Sequence, residues 1–260
     1  MELFGILPKK KSLEIIKYNK NIKERININI NDYKECSGIY SSIELEIIPT
    51  KVHYGNFIKI KKDEEANYHI FFNNNKKDIK RNIFEKADKV KVIIDYKVKS
   101  FNGLFFYIDC IESVNFKRFY RNNINDMSYM FYGCSTLKKI NFSNFNTNNV
   151  TDMRHMFAKC TSLEELDLSN FNTNNVTNMC WIFFECSSLK ELNLSNFNTS
   201  NVTDMSQMFS KCSSLEELNI SNLNTNNVTN MLGMFSSCSE ELKMKIKSQY
   251  ENMKDESLFI

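Results

Sequence analysis

The sequence predicts an α/β repeat solenoid preceded by a β-rich N-terminal region. The main observation is a 26-residue unit that occurs four times, with Asn-Val-Thr-Asp/Asn-Met at the same place in each copy. These motifs begin at Asn149, Asn175, Asn201 and Asn227, and a weaker copy begins at Asn123. Self-similarity at a fixed period of about 20 to 50 residues is typical of stacked repeats, in which each unit contacts only its neighbours.

The chain divides into four predicted segments. They are a helical or disordered leader, a β-rich N-terminal region and cap, the solenoid with a degenerate first copy, and a polar C-terminal tail, at residues 1–20, 21–100, 101–247 and 248–260. In the second segment apolar and polar residues alternate, which predicts strands separated by turns. The alternating runs lie at 26–30, 43–47, 57–60, 69–72 and 90–98. Of these, Val90–Ile94 is expected to join the sheet of the repeats.

Each repeat is predicted to contain a strand, a polar turn and a short helix. Leu166 and Leu168 alternate with polar residues, which is the pattern of a strand with one buried face. The polar residues 172–175 follow and favour a turn. The apolar positions then change to a helical period, with one face formed by Val176, Met179, Ile182, Phe183 and Cys186.

Equivalent residues of successive repeats are expected to lie in columns. Phe145, Phe171 and Phe197 predict a stacked phenylalanine spine inside the repeats. The asparagine and threonine columns predict ladders that satisfy backbone groups of the loops. Their members are Asn144, Asn170, Asn196 and Asn222, and Thr147, Thr173, Thr199 and Thr225. The Asn-Val-Thr motifs also match a glycosylation pattern, but without a secretory signal the ladder interpretation is favoured.

One cysteine recurs in each repeat. The column consists of Cys134, Cys160, Cys186, Cys212 and Cys238. A zinc site needs ligands a few residues apart, and a disulfide needs Cα atoms within about 7 Å, so neither fits this spacing. The column therefore predicts free, buried thiols that act as small apolar side chains, without a metal.

The C-terminal end of the repeats is expected to carry a protected edge. Leu242, Met244 and Ile246 alternate with lysines. This alternation predicts a last strand whose lysines prevent pairing with another chain.

The repeat motif resembles that of the BspA-like leucine-rich repeat family. The resemblance rests on Ser-Asn-Phe-Asn-Thr-Asn-Asn-Val-Thr-Asn-Met at residues 169–179, followed by Phe183, Cys186 and Leu189, and it extends over about 124–246. It implies a right-handed, leucine-rich-repeat-like strand–helix solenoid that is used for binding, often in adhesion at a cell surface. The resemblance implies no catalytic residues.

The sequence contains no motif for catalysis or for a cofactor. His53, His69 and His155 have no carboxylate or thiol partner at a workable spacing. Six glycines form no phosphate-binding loop. We therefore expect a protein that is not an enzyme, with no cofactor, metal or small-molecule substrate.

The outward face of the predicted strands is the candidate binding surface. Its three columns are Lys139, Glu165, Glu191 and Glu217; Asn141, Asp167, Asn193 and Asn219; and Ser143, Ser169, Ser195 and Ser221. The carboxylates Glu165, Asp167, Glu191 and Glu217 would form an acidic stripe that favours a basic protein partner. The alternative is that these residues only keep the sheet soluble, because polar outward residues are ordinary in strands.

Trp181 and Phe184 form a second candidate contact on the convex face. They occupy outward positions where other repeats carry polar or small residues. Exposed aromatic residues are common anchors of protein interfaces. The alternative is that they pack against a neighbouring repeat.

The leading hypothesis is a protein–protein interaction module, with two alternatives left open. Residues 1–120 carry 23 basic and 16 acidic side chains, net +7, whereas residues 121–260 are net −4. Binding of nucleic acid or anionic lipid by the basic region is therefore an alternative, although nucleic acid is not favoured. The other alternative is cell-surface adhesion. The absence of a signal-peptide pattern and of a long apolar run favours a cytoplasmic location without a transmembrane segment, and the resemblance keeps the cell surface open.

Overall fold

The computed structural model describes residues 41–51, 55–73, 75–76, 82–83 and 87–250. The predicted leader at 1–20, the alternating run at 26–30 and residues 251–260 of the predicted tail lie outside the described residues. The strands are β1 (Ile43–Pro49), β2 (Gly55–Asn56), β3 (Tyr68–Phe72), β4 (Asn75–Lys76), β5 (Asn82–Ile83), β6 (Val90–Ile94), β7 (Ile111–Arg118), β8 (Lys139–Asn141), β9 (Glu191–Asn193) and β10 (Glu217–Asn219). A 3₁₀-helix spans Lys62–Asn67, and helix α1 spans Glu240–Gln249.

The N-terminal strands form a mixed sheet with the order β4-β3-β6-β1-β7-β8. Alternation in sequence becomes alternation in burial, since every second residue of β1, β3 and β6 points into the core. In the run at 57–60, Phe57, Ile58 and Ile60 are buried and Lys59 is exposed, but these residues form no strand. The prediction that Val90–Ile94 joins the sheet of the repeats agrees with this order, because β6 shares the sheet with the repeat strand β8. The direct neighbours of β6 are β1 and β3, and it is β7 that pairs in parallel with β8.

Residues that are 26 positions apart lie side by side along the repeats. Parallel bridges join Ser100 to Asp126, Asp126 to Asp152, and so on through Asn178 and Asp204 to Asn230. On the strand side, Lys139 bridges Glu165, and β9 pairs in parallel with β10 in the register Glu191 to Glu217. The same 26-residue offset therefore relates neighbouring repeats on both sides of the unit.

The segment after the polar loop consists of successive turns, and the predicted short helix is absent. These turn segments are, from first to sixth, residues 102–107, 128–133, 154–159, 180–185, 206–211 and 232–237. In the third one, the amides of His155 and Phe157 donate to carbonyls of the next repeat at 3.0 and 2.9 Å. The amide of Ala158 instead donates within its own repeat, to the carbonyl of His155. A helix would keep all these bonds within the segment.

The core contains two columns of stacked phenylalanines. Phe145, Phe171 and Phe197 stack with ring centroids 5.4 and 6.5 Å apart, which confirms the predicted spine. A longer column runs through all six turn segments, with centroids 5.1 to 5.8 Å apart and nearly parallel rings. Its members are Phe105, Phe131, Phe157, Phe183, Phe209 and Phe235.

The predicted ladders are confirmed for three threonines and three asparagines, which are Thr147, Thr173, Thr199, Asn170, Asn196 and Asn222. The buried hydroxyl of Thr173 donates to the carbonyl of Asn198 at 2.9 Å and accepts from its amide at 2.8 Å. Thr147 and Thr199 make the same pair of bonds to the next repeat. Side-chain amides of Asn170, Asn196 and Asn222 donate to serine carbonyls of the preceding repeat.

The cysteine column is buried, and its thiols hydrogen-bond to the backbone. The thiol of Cys160 donates to the carbonyl of Phe131 at 3.1 Å, and the other four column members repeat this contact. All seven cysteines in the described part of the chain are free. Burial raises the pKa of Cys186 to about 12, so this thiol stays protonated.

The C-terminal end is closed by helix α1, so the predicted last strand is wrong. Leu242 and Ile246 are buried, whereas Met244 is 66% exposed. The hydroxyl of Ser239 caps the helix by accepting from the amide of Leu242 at 3.2 Å. Buried residues four positions apart fit one helix face as well as one strand face, so the alternation in sequence did not distinguish the two structures.

Candidate functional site

Three glutamates form a column on the outward face of the strands. We call Glu165, Glu191 and Glu217 the glutamate column. The register of β9 and β10 places Glu191 opposite Glu217, and neighbouring strands lie about 4.8 Å apart. The side chains of Glu165 and Glu217 are 75% and 74% exposed. The structure therefore brings together the three predicted glutamates as an ordered set of accessible carboxylates.

A groove lies along one side of the glutamate column. Its volume is about 650 Å³, and its lining includes the column, Asp167, Asn193 and Asn219. Leu166, Leu192 and Leu218 contribute apolar surface to it. Gln249 and Tyr250, at the end of α1, form part of its wall.

A second groove, of about 570 Å³, lies on the other side. Its lining shares Glu165, Glu191 and Glu217 with the first groove, and its other lining residues are Glu164, Ser188, Lys190, Ser214 and Glu216. The glutamate column is thus a ridge between two concave surfaces. A partner in either groove would contact the carboxylates.

Lysines of the chain itself pair with both ends of the glutamate column. Lys139 Nζ lies 3.7 Å from Glu165, and Lys245 Nζ of helix α1 lies 3.1 Å from Glu217. Hydrogen bonds to Glu217 and Glu241 raise the pKa of Lys245. Within the described residues, Glu191 forms no ion pair. The middle of the column is therefore its unneutralised part.

The second predicted column has a structural role. The side-chain oxygens of Asn141, Asp167, Asn193 and Asn219 accept hydrogen bonds from the amide two residues later, at 2.9 to 3.1 Å. The amide and hydroxyl of Ser169 lower the pKa of Asp167 in this way. These residues hold the turn that ends each strand, so they are less available to a partner than the sequence suggested.

The third predicted column lies at the same turn. Ser143, Ser169 and Ser221 are exposed, and Ser195 is half-buried. Their amides are donors of the turn bonds described above. These bonds use the serine amides and not the serine hydroxyls, so among the three predicted columns it is the second whose side chains hold the turn.

The turn side of the repeats carries an aromatic belt that the sequence revealed only in part. Phe184 is buried, which contradicts its assignment as an exposed contact and agrees with the alternative that it packs within the repeats, whereas Trp181 is half-buried. The two rings lie 4.3 Å apart and continue into rings of earlier repeats. The aromatic belt comprises Phe106, Tyr107, Tyr129, Tyr132, His155, Trp181 and Phe184.

His155 is the centre of the belt. Its ring stacks on Tyr129 at 4.6 Å and on Trp181 at 5.4 Å. Burial and the neighbouring Arg154 lower the pKa of His155 to about 4, so the imidazole is neutral near pH 7. The signal for the belt was available in the sequence, because Tyr129, His155 and Trp181 are 26 residues apart.

The described part of the chain offers no group of three or more His, Cys, Asp or Glu side chains arranged for a metal ion. His69 Nε2 lies 3.5 Å from Asp95 Oδ2, and His53 falls outside the described residues. None of the described helices has the length and hydropathy that crossing a membrane requires.

Comparison with known proteins gives one family. The model of DUF285, described as a Mycoplasma protein of unknown function, matches residues 99–193 and again residues 166–257. The two matches overlap and cover the repeats and helix α1. No curated protein and no solved structure matches the chain.

Proposed function

We propose, starting from the fact that this chain belongs to the DUF285 family, that it is a non-enzymatic protein–protein interaction module. Its partner is a basic protein segment, which binds along the glutamate column. We take the repeats to form a leucine-rich-repeat-like solenoid, as the resemblance to BspA-like repeats implies. The parallel pairing of residues 26 positions apart supports this interpretation.

The observation that carries the proposal is the exposed carboxylate ridge between two grooves. Carboxylates on adjacent strands are fixed relative to one another by the backbone ladder, so little ordering is needed when a partner binds. Their like charges repel each other mildly, and a cation between them would remove that repulsion. The apolar surface of Leu166, Leu192 and Leu218 in the first groove adds contact for the stems of lysine or arginine side chains.

Ion pairs within the chain support this mode of binding. Lys245 of α1 reaches Glu217 from outside the strands and also contacts Glu241 at 3.3 Å. A partner lysine or arginine beside Glu191 would continue this arrangement by one repeat. Exposed ion pairs contribute about 0 to 1 kcal/mol each, so specificity must come from several such contacts together with the grooves.

Binding of nucleic acid by the N-terminal sheet is less well supported. Lys89, just before β6, lies 3.2 Å from Glu46 of β1. Lys91, on β6, lies 2.8 Å from Glu44 of the same strand. Paired lysines offer less charge to phosphate. The adhesion hypothesis is supported by the resemblance to BspA-like repeats alone.

The test compares two charge-reversal variants in a proximity-labelling experiment in the source cell. The first carries Glu165→Lys and Glu191→Lys, and leaves Glu217 in place because it holds Lys245. The control carries Asp63→Lys and Asp88→Lys, two exposed acids that lie before the repeats in the chain. We expect partners rich in basic segments to be lost from the first variant and retained by the control. Identical partner sets for both variants and the wild type would refute the proposal.

A further inference from the structure

The aromatic belt is not needed by the backbone that carries it. The left-handed φ angle at Tyr129, His155 and Trp181 is 57°, 56° and 60°, and Gln207 adopts the same angle of 54° without a ring. Gly233 occupies this position in the sixth turn segment. A ring is also not constant at a second belt position, where Phe106, Tyr132 and Phe184 alternate with or are followed by small residues, namely Ala158, Ser210 and Ser236. The backbone conformation at these positions therefore does not require a ring.

The rings are concentrated in the first four turn segments, and small or polar residues follow in the last two. Tyr107, in the first segment, is 54% exposed. Its ring lies over Gly133, where an added Cβ would come within 2.6 Å of it. Phe106, Tyr129 and Tyr132 are each half-buried. One end of the turn side is thus bulky and aromatic, and the other end is small, with Leu232 left 46% exposed.

Charges on the turn side alternate in sign along one column. Lys159, Glu185 and Lys211 occupy equivalent positions in the third, fourth and fifth turn segments. Lys159 lies over the ring of Tyr132 at 5.8 Å, and Lys211 over Phe184 at 5.2 Å. In the described part of the chain, none of the three charges forms an ion pair.

We propose that the aromatic belt is the interface of a two-fold symmetric homodimer. A two-fold axis between the third and fourth turn segments pairs the third segment with the fourth of the other copy. Lys159 then faces the partner's Glu185, and Glu185 faces the partner's Lys159. Such an interface uses the same patch on both copies, so it must be complementary to itself.

The uneven distribution of rings along the turn side also fits this axis. The second turn segment meets the fifth of the other copy, and the first meets the sixth. Tyr129 and Tyr132 therefore face the segment with Gln207 and Ser210, and Tyr107 faces the segment with Leu232 and Gly233. Bulky rings of one copy lie against small residues of the other at both ends, which is the shape match that a packed interface needs.

Sedimentation equilibrium of the intact chain tests the dimer. We expect a mass of twice 30.6 kDa at about 100 µM, where an interface with a Kd of about 10 µM is mostly formed. A monomer at this concentration overturns the proposal. The first variant carries Tyr129→Gln and Trp181→Gln, because glutamine is the residue that the chain itself has at the equivalent position of the fifth turn segment, Gln207. It should be monomeric with an unchanged circular dichroism spectrum, and a dimer that persists overturns the proposal.

Charge reversal gives a second test that leaves the rings intact. Lys159→Glu and Glu185→Lys should each weaken the dimer by about tenfold or more, because symmetry places each like-charge contact in the interface twice. The double variant restores both pairs and should recover a Kd close to that of the wild type. Failure of the double variant to recover, or single variants that dimerise normally, would overturn the assigned axis. None of these substitutions changes the glutamate column, so the outcome of the test is independent of the proposed function.

Discussion

The interior and the turn side of the same repeats differ in how faithfully they repeat. Phenylalanine occupies the long interior column in all six turn segments, and all its members are buried. On the turn side, only a few residues away, rings give way to glutamine, serine and glycine while the backbone keeps its conformation. The comparison teaches that a residue type is kept in every repeat where the fold depends on it. On the turn side the residue type changes while the backbone stays the same, so the fold does not depend on a ring there.

The largest expected effect is a substitution in the interior column. Phe157→Ala removes a ring that stacks on Phe131 and Phe183 at 5.8 Å on both sides. We expect a loss of about 3 to 5 kcal/mol in the free energy of unfolding, measured with chemical denaturant. Trp181→Gln is the matched control on the turn side and should cost about 1 kcal/mol or less. Similar losses for the two variants would contradict the distinction between interior and turn side.

The threonine ladder allows the same comparison with one residue type. Thr173→Val leaves the amide and carbonyl of Asn198 without their buried partner, so we expect a loss of about 1 to 3 kcal/mol. Thr177 is exposed and makes one longer bond, to the carbonyl of Thr151 at 3.2 Å. Thr177→Val should therefore change the free energy of unfolding by about 0.5 kcal/mol or less. Equal effects in denaturant titrations would show that the buried ladder is not a source of stability.

A smaller effect is expected from the pH dependence of the belt. The folded chain holds the pKa of His155 at about 4, below the ordinary value of 6.5, so the unfolded chain binds the proton more readily. The contribution of this residue to stability is complete above pH 6.5 and is lost as the pH falls towards 4. We expect about 1 kcal/mol, discounted because the ring is only half-buried.

His155→Gln should remove this part of the pH dependence. Stability of the two proteins measured by denaturant titration at pH 7 and pH 4.5 gives the difference directly. A wild type and variant that lose stability in parallel over this range would show that His155 is not held neutral by its surroundings.

The smallest effect on stability is expected on the strand side. Glu191 is exposed and has no ion pair among the described residues, so Glu191→Lys should change the free energy of unfolding by about 0.5 kcal/mol or less. A thermal denaturation curve that coincides with that of the wild type is the expected result. A large loss would mean that the glutamate column is structural, as is the neighbouring column of Asn141, Asp167, Asn193 and Asn219.

Much of the fold could be predicted from the sequence because the spacing of equivalent residues along the chain indicates which of them are neighbours in the fold. The 26-residue period indicated which residues lie side by side, and with them the phenylalanine spine and the threonine ladder. The helix and the turn segment could not be distinguished, since both bury residues three and four positions apart. The two structures differ in their backbone hydrogen bonds. In the turn segments, alternate amides donate to carbonyls of the next repeat, and the pattern of apolar residues does not depend on these bonds.

The candidate surfaces were predictable to different degrees for a related reason. The glutamate column follows from the alternation of a strand, and its position on the outward face agrees with the exposure of Glu165 and Glu217. The role of Asp167 in its turn depends on a hydrogen bond to the second amide after it, which its charge does not reveal. The belt emerged only when residues 26 apart were seen to contact each other through their rings.

The central claim is that a basic partner lies on the glutamate column, and site-specific photo-crosslinking tests it most directly. A photoreactive amino acid replaces Glu191 in one protein and the exposed Asp88 in the other, and cross-linked peptides are identified by mass spectrometry after irradiation in the source cell. We predict that position 191 captures segments rich in lysine and arginine, and that position 88 does not. Cross-links from position 191 to acidic or uncharged segments, or the same captures from both positions, would contradict the claim.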